Sequence, residues 1–198
     1  MGRIVGIGGR LAAGKDTVAD YLVGKGWLKF GMSDPLHEAM LRLNPIVSSE
    51  PYISYEDHYG YKEWSTSEVT YQSATDDLGY TEAKAAYPEY RRLLQAFGTE
   101  VVRELIGDNV WVDIMKRRAS EASATHDVIV TGIRYPNEVA AIKELGGELW
   151  WVTREGTNLT DENPPHASES SVNAEDFDVI LPNEGTIEDL HHEVDIYR

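Results

Sequence analysis

The chain has 198 residues, 41% of them hydrophobic and 26% charged, with five tryptophans and a formal charge of −16. That is the size of one globular domain, and its apolar content argues against a disordered chain. The acidity argues against a general nucleic-acid binder, the lack of cysteine excludes disulfides and thiolate metal sites, and no apolar run approaches a membrane span. No basic, apolar leader precedes the first apolar segment, so a cytoplasmic protein is expected. Charge is uneven: residues 155–198 carry twelve acids against one base, Arg198.

Residues 3–8 (RIVGIG) form a short apolar run ending in glycines, and 15–23 (KDTVADYLV) follow with helical spacing. The pair predicts strand, tight glycine loop, helix. Residues 27–30 predict a second strand, and 34–43 (DPLHEAMLRL) an amphipathic helix with Asp34 as cap and Pro35 in its first turn. From 44 to about 88 the periodicity fades, and eight of the eleven tyrosines fall between Tyr52 and Tyr90. This stretch is expected to be an inserted, partly helical region with a purpose of its own. Residues 89–106 and 110–122 predict helices. The run 127–131 (DVIVT) has the β-branched character of a buried parallel strand. A helix over 137–145, closed by Gly146-Gly147, precedes a strand over 148–153 (ELWWVT). Residues 157–173 are polar, include Pro164-Pro165, and predict a mobile loop. A last strand over 178–181 leads to a helix opened by a capping box of Thr186 and Asp189. Strands alternating with helices predict an α/β domain with a mostly parallel sheet flanked by helices.

The segment Gly9-Arg10-Leu11-Ala12-Ala13-Gly14-Lys15-Asp16-Thr17 matches G-x-x-x-x-G-K and then departs from it, with Asp16 where Ser or Thr is usual. In such a loop the backbone N–H groups along Gly9, Arg10, Ala12, Ala13 and Gly14 turn inward around phosphate oxygens, and the next helix offers its positive end. Lys15 would reach the β- and γ-phosphates, and Thr17 can hydrogen-bond a phosphate. A glycine-rich turn without a ligand is the alternative; the strand before and the helix after favour a P-loop NTPase-like fold. Asp16 would repel phosphates unless shielded by Mg²⁺ or turned away. It is a candidate to reach the metal through water, and a purely helix-capping Asp16 is the other reading.

Six segments in order carry a wider likeness: GKDTVADYL, FGMSDPL, RRLLQAFGTEVVRELIGDNVW (residues 91–111), VIVTGIRYPNEVAAIKELGG (128–147), HASE (166–169) and LPNEGTIEDL (181–190). Together they resemble the bacteriophage-type deoxynucleoside monophosphate kinases. The resemblance covers nearly the whole chain except roughly 44–88. It implies transfer of the γ-phosphoryl of ATP to a (deoxy)nucleoside monophosphate with Mg²⁺. It also implies one kinase domain with an acceptor-binding region over 44–110 and a lid over 154–176. The family strand commonly reads I-T-D-x-R, and Gly132 stands where that Asp would be. Attention therefore shifts to Asp16 and Asp34 as acidic partners of the metal. A homodimer is allowed, and neither nucleic acid nor membrane is an expected partner.

Arg134 follows a buried strand and should emerge at its carboxyl end, either contacting phosphate or pairing with Glu138. Arg154 also follows a strand and opens the polar loop; the resemblance makes it a candidate for the γ-phosphate, with a solvated Arg154 as the alternative. Arg91, Arg92, Gln95, Thr99 and Arg103 lie along one predicted helix at spacings of three or four. Such a face suits the monophosphate's 5′-phosphate and base edge, or is an ordinary solvated face; Arg91 is preferred over Arg92. Asp34 could accept a proton from the acceptor, order Mg²⁺ waters, or only cap a helix. Trp111 and the tyrosines of 52–90 offer flat surfaces for a base, although most should be packing residues. His166 and Glu169 resemble the family's lid motif, and His191-His192 should be solvated. Asn183 and Gly185 follow the last strand, where related kinases place a loop against adenine. Two other readings remain: a dephospho-CoA kinase-like enzyme, which shares the last segment and needs a general base, and a catalytically decayed nucleotide-binding protein.

Overall fold

A computed structural model of the chain describes residues 1–156 and 171–198. Among these residues the chain forms two compact units, 1–34 with 109–198, and 35–108. The sequence reading starts the insertion at residue 44; the structure places the preceding helix with it.

In the first unit, β1 (Ile4–Gly9) lies between β5 (Val128–Thr131) and β6 (Glu148–Thr153). Beyond β5 runs β2 (Leu28–Gly31), and beyond β6 runs β7 (Val179–Pro182), giving the order β2-β5-β1-β6-β7. Every pairing is parallel, with Ile4 opposite Val128 and Val5 opposite Glu148. Side chains alternate across a strand, so the apolar runs feed two cores. Val5, Ile7, Ile129, Trp150, Val152 and Leu181 pack with Val18 and Leu22 of α1 (Lys15–Gly24) and Leu190 and Val194 of α7 (Ile187–Tyr197). On the other face Ile4, Val128, Val130, Leu149 and Trp151 pack with Met115 of α5 (Val110–Ala122) and Ile142 of α6 (Pro136–Glu144). Each fully buried aliphatic side chain contributes roughly 1.5–3 kcal/mol, which is what fixes strand register here.

The capping box predicted for α7 forms. Thr186 Oγ1 accepts from the Asp189 amide at 3.2 Å, and Asp189 Oδ2 accepts from the Thr186 amide at 2.8 Å. The Thr186 amide and hydroxyl, both donating to the carboxylate, hold the Asp189 carboxyl below its ordinary range, so the box persists at neutral pH and is lost as pH falls through that lowered value. Thr186→Ala should cost about 1 kcal/mol and lower the melting temperature by about 2–4 °C. A thermal melt checks this; an unchanged midpoint would mean the cap contributes nothing.

The second unit holds α2 (Asp34–Leu43, its first residue in the first unit), a hairpin of β3 (Ile46–Glu56) and β4 (Lys62–Thr70), α3 (Tyr71–Ala86) and α4 (Pro88–Gln95). The hairpin was not expected. Most of its residues are exposed on both faces, so the apolar-polar alternation that betrays a half-buried strand is missing. Its tip is tied by Asp57 Oδ1, which accepts from the Tyr59 and Tyr61 amides at 2.9 Å each. After α4 the chain does not continue as the uniform α-helix expected to Ile106: residues Ala96–Ile106 wind as a π-helix. Tyr71 and Tyr90 are fully buried and stacked 4.0 Å apart, with Tyr71 Oη against His37 Nδ1 at 2.8 Å and Tyr90 Oη against Thr75 Oγ1 at 2.8 Å. Burial, then the neighbouring Tyr90, pushes the Tyr71 phenol above its ordinary range. These two rings are core, in line with the expectation that most of these tyrosines are packing residues. Among the described residues no helix is long and apolar enough to cross a membrane.

Candidate active site

In a parallel sheet all strands end on one edge, and ligands bind where the topology reverses direction. Here the chain leaves β1 toward β2, and returns from β5 to cross to β6, so the reversal falls at the end of β1. The carboxyl ends of the five strands lead to Lys15, Asp34, Arg134, Arg154 and Asn183 respectively, in the order β1, β2, β5, β6, β7. The sequence reading placed these five residues at strand ends one at a time; parallel pairing puts them on a common edge.

The loop between β1 and α1 has the conformation its sequence predicts. Gly14 is the N-cap of α1 with φ 105°, and a Cβ there would also meet Asn183 Nδ2 at 2.5 Å. Only glycine fits both demands. Lys15 Nζ donates to the carbonyls of Gly9 at 2.8 Å and Arg10 at 2.6 Å, which holds the ammonium over its own loop. Asn183 reaches the loop from β7: its Nδ2 donates to the Ala13 carbonyl at 2.8 Å, and its backbone amide donates to Thr153 at 2.8 Å. The Asn183 side chain thus braces the loop between β1 and α1.

Asp16 does not cap α1, because Gly14 is the N-cap and makes no side-chain cap bond. Its carboxylate, 86% exposed, lies 3.3 Å from Lys29 Nζ, which also holds Asp20 at 2.9 Å. Burial alone would lower the Lys29 pKa, but the hydrogen bond to Asp20 and the charges of Asp16 and Asp20 outweigh it and raise it. Lys29 escaped the sequence reading. It sits in a strand 13 and 9 positions from the two acids, with no motif to announce the pairing.

Asp34 Oδ2 accepts from the Gly31 amide at 2.6 Å. It therefore ties the end of β2 to the first residue of α2. Arg134 is exposed. Glu138, only 3% exposed, accepts from the backbone amides of Arg134 at 2.7 Å and Tyr135 at 3.2 Å. Gly132 has φ +81°, a conformation in which the acid that the resemblance expects would be strained. Arg154, at the end of β6, is exposed. Residues 157–170, with His166, Glu169 and most of the expected lid, lie outside the described residues.

In the second unit, Leu94, Gly98 and Val102 are buried while Arg91, Gln95 and Thr99 are exposed and Arg103 is half-buried. Both sets recur every four residues. In an α-helix such a stripe drifts one way, but the i→i+5 winding of a π-helix takes longer to return and drifts back. Residues 91, 95, 99 and 103 therefore share one stripe. Arg92 is off it, and its Nε and guanidinium nitrogen grip Glu89 at 2.7 and 2.6 Å. This corrects the placement of Arg92 on the face and separates it physically from Arg91. Trp111, expected as a stacking surface, is only 7% exposed and acts as a packing residue at the start of α5. His191, expected to be solvated, stacks on Tyr21 with ring centroids 3.9 Å apart.

A parallel α/β sheet whose central strand runs into a G-x-x-x-x-G-K loop defines the class of P-loop phosphotransferases. The family model described as deoxynucleotide monophosphate kinase matches residues 53–194, and the chain belongs to that family. A relative in Acanthamoeba polyphaga mimivirus, described by the same family name, is 27% identical over 206 residues, covering 96% of this chain and 93% of its own length. The deoxynucleotide monophosphate kinase of Escherichia phage RB69 is 30% identical over 107 residues, covering 53% of this chain and 43% of its own. The crystal structure of TT1252 from Thermus thermophilus shares the fold, with a TM-score of 0.50 at 14% identity over 99% of this chain and 96% of that one.

Proposed function

We propose that the protein transfers the γ-phosphoryl group of ATP to the 5′-phosphate of a deoxynucleoside monophosphate, giving ADP and the diphosphate. The observation that carries this is the phosphate-type loop, with Lys15 held over it, in a chain of the deoxynucleotide monophosphate kinase family. Phosphoryl transfer asks a protein for position and positive charge more than for covalent chemistry. The loop amides and Lys15 bind the β- and γ-phosphates. Arg134 and Arg154, at the ends of the two strands that flank β1, supply further positive charge toward the transferred group. The stripe of Arg91, Gln95, Thr99 and Arg103 binds the monophosphate, its arginines taking the phosphate in paired hydrogen bonds.

In the transfer, an oxygen of the acceptor phosphate forms the new bond to phosphorus, and the bond to the β-phosphate oxygen breaks. A phosphate monoester with its second pKa near 6 is already ionised at neutral pH, so no base has to remove a proton. Asp34, anchored on the Gly31 amide, suits a positioning role in this chemistry better than that of a base. An acceptor hydroxyl, as in dephospho-CoA, would need the base.

Magnesium fits these residues. Among the described residues no group of three carboxylates or histidines is clustered for a metal. Mg²⁺ beside nucleotide phosphates needs only one or two protein ligands and keeps several waters. The Thr17 hydroxyl is the donor that would hold it, and the exposed Asp16 carboxylate, with its charge paired to Lys29, would reach it only through water. Bound there it would neutralise charge on the β- and γ-phosphates.

The test is ADP release from Mg²⁺–ATP across dAMP, dCMP, dGMP, dTMP, their ribo-forms and dephospho-CoA. Release with at least one deoxynucleotide, above that with dephospho-CoA, is expected. Nucleotide binding without release in any mixture would make the chain a nucleotide-binding protein instead. Asn183→Ala should raise the KM for ATP by roughly twofold to tenfold with kcat nearly unchanged, the cost of one neutral hydrogen bond bracing the loop. An equal effect on the monophosphate KM would place Asn183 elsewhere in the reaction.

A further inference from the structure

We propose that Lys29 is a positioning residue for the ATP phosphates, acting through Asp16: it neutralises and restrains the carboxylate that this chain carries inside its phosphate loop. The inference rests on the phosphate-loop reading above. Asp16 directly follows Lys15, so its charge falls in the first turn of α1, where a phosphate-binding helix offers positive potential. An uncompensated carboxylate there repels a polyphosphate and cancels part of the attraction of the loop amides. Asp16 and Asp20 are also four residues apart on α1, a spacing at which like charges disfavour each other. Lys29 answers both problems. It rises from an edge strand, in register with Ile129, and places one ammonium 3.3 Å from Asp16 Oδ1 and 2.9 Å from Asp20 Oδ1.

The burial of the three groups says which holds which. The Lys29 side chain is 31% exposed, against 86% for Asp16 and 68% for Asp20. The lysine is the more sheltered partner, and the loop acid the more exposed one. The polyphosphate then meets a paired Asp16 in place of a bare one. Lys29 touches no reacting atom in this account, and its effect passes entirely through the carboxylate.

The full-length protein, titrated calorimetrically with the Mg²⁺ complex of the β,γ-imido analogue of ATP, tests this. Lys29→Met keeps the stem and removes the charge, and should weaken analogue binding by about tenfold at low ionic strength. Lys29→Gln provides a second uncharged variant, and Lys29→Arg should stay within about threefold of the wild type. The deciding measurement is the double variant. With Asp16→Ser in place there is no carboxylate to restrain, so Lys29→Met should then change binding by less than about twofold. In steady state the Lys29→Met defect should appear in the KM for ATP, with the KM for the monophosphate unmoved. Wild-type affinity in both uncharged variants would overturn the inference, as would an undiminished defect in the Asp16→Ser background. If the wild type itself fails to bind the analogue, the phosphate-loop reading falls and this inference with it; if the wild type binds and Lys29 is indifferent, only the inference falls.

Discussion

Lys15→Ala is expected to lower turnover by about a hundredfold or more while leaving the melting temperature unchanged. The ammonium donates to the loop carbonyls of Gly9 and Arg10 at 2.8 and 2.6 Å, and Lys15 stands outside both apolar cores. Its charge is needed most when negative charge spreads over the transferred group, so the loss should fall chiefly on kcat. Steady-state kinetics beside a thermal melt separate chemistry from folding. Near-wild-type turnover with every monophosphate would remove Lys15 from the reaction.

Arg103→Ala should raise the KM for the monophosphate by about tenfold to a hundredfold, while the KM for ATP moves by less than about twofold. A hydrogen bond to a charged group contributes about 1.5–3 kcal/mol, and the half-buried Arg103 shares its stripe with the exposed Arg91, Gln95 and Thr99. Arg92→Ala is the internal contrast. Its guanidinium is committed to Glu89, the mutual attraction lowers the Glu89 pKa and raises that of Arg92, and both are exposed. Equal sensitivity at positions 92 and 103 would dissolve the stripe as a binding feature.

Much of the first unit was legible because its physics is local. The apolar runs 4–9, 128–131 and 148–153 are short, β-branched or aromatic, and buried on both faces, as parallel strands must be. Asp34 and Pro35 mark the start of α2, and Thr186 with Asp189 marks that of α7. The hairpin 46–70 was not legible, since exposure on both faces erases alternation. Nor was the π-winding of 96–106, because polar and buried positions repeating every four residues suit either helix. At the site, the strand-end residues could be named from sequence and the arrangement on one edge follows from the strand order. The bond of Asn183 to Ala13 and the grip of Lys29 on Asp16 join segments 170 and 13 residues apart. Neither has a local signature.

The central claim is that this chain moves the γ-phosphoryl group to a deoxynucleoside monophosphate, and label transfer tests it most directly. The protein is incubated with Mg²⁺ and ATP labelled in the γ-phosphate, with each of dAMP, dCMP, dGMP and dTMP in turn, and the nucleotides are separated. The account predicts label in the β-phosphate of at least one deoxynucleoside diphosphate, appearing in step with ADP and lost in Lys15→Ala. Label that stays in ATP, or appears only as inorganic phosphate with all four acceptors, would contradict it.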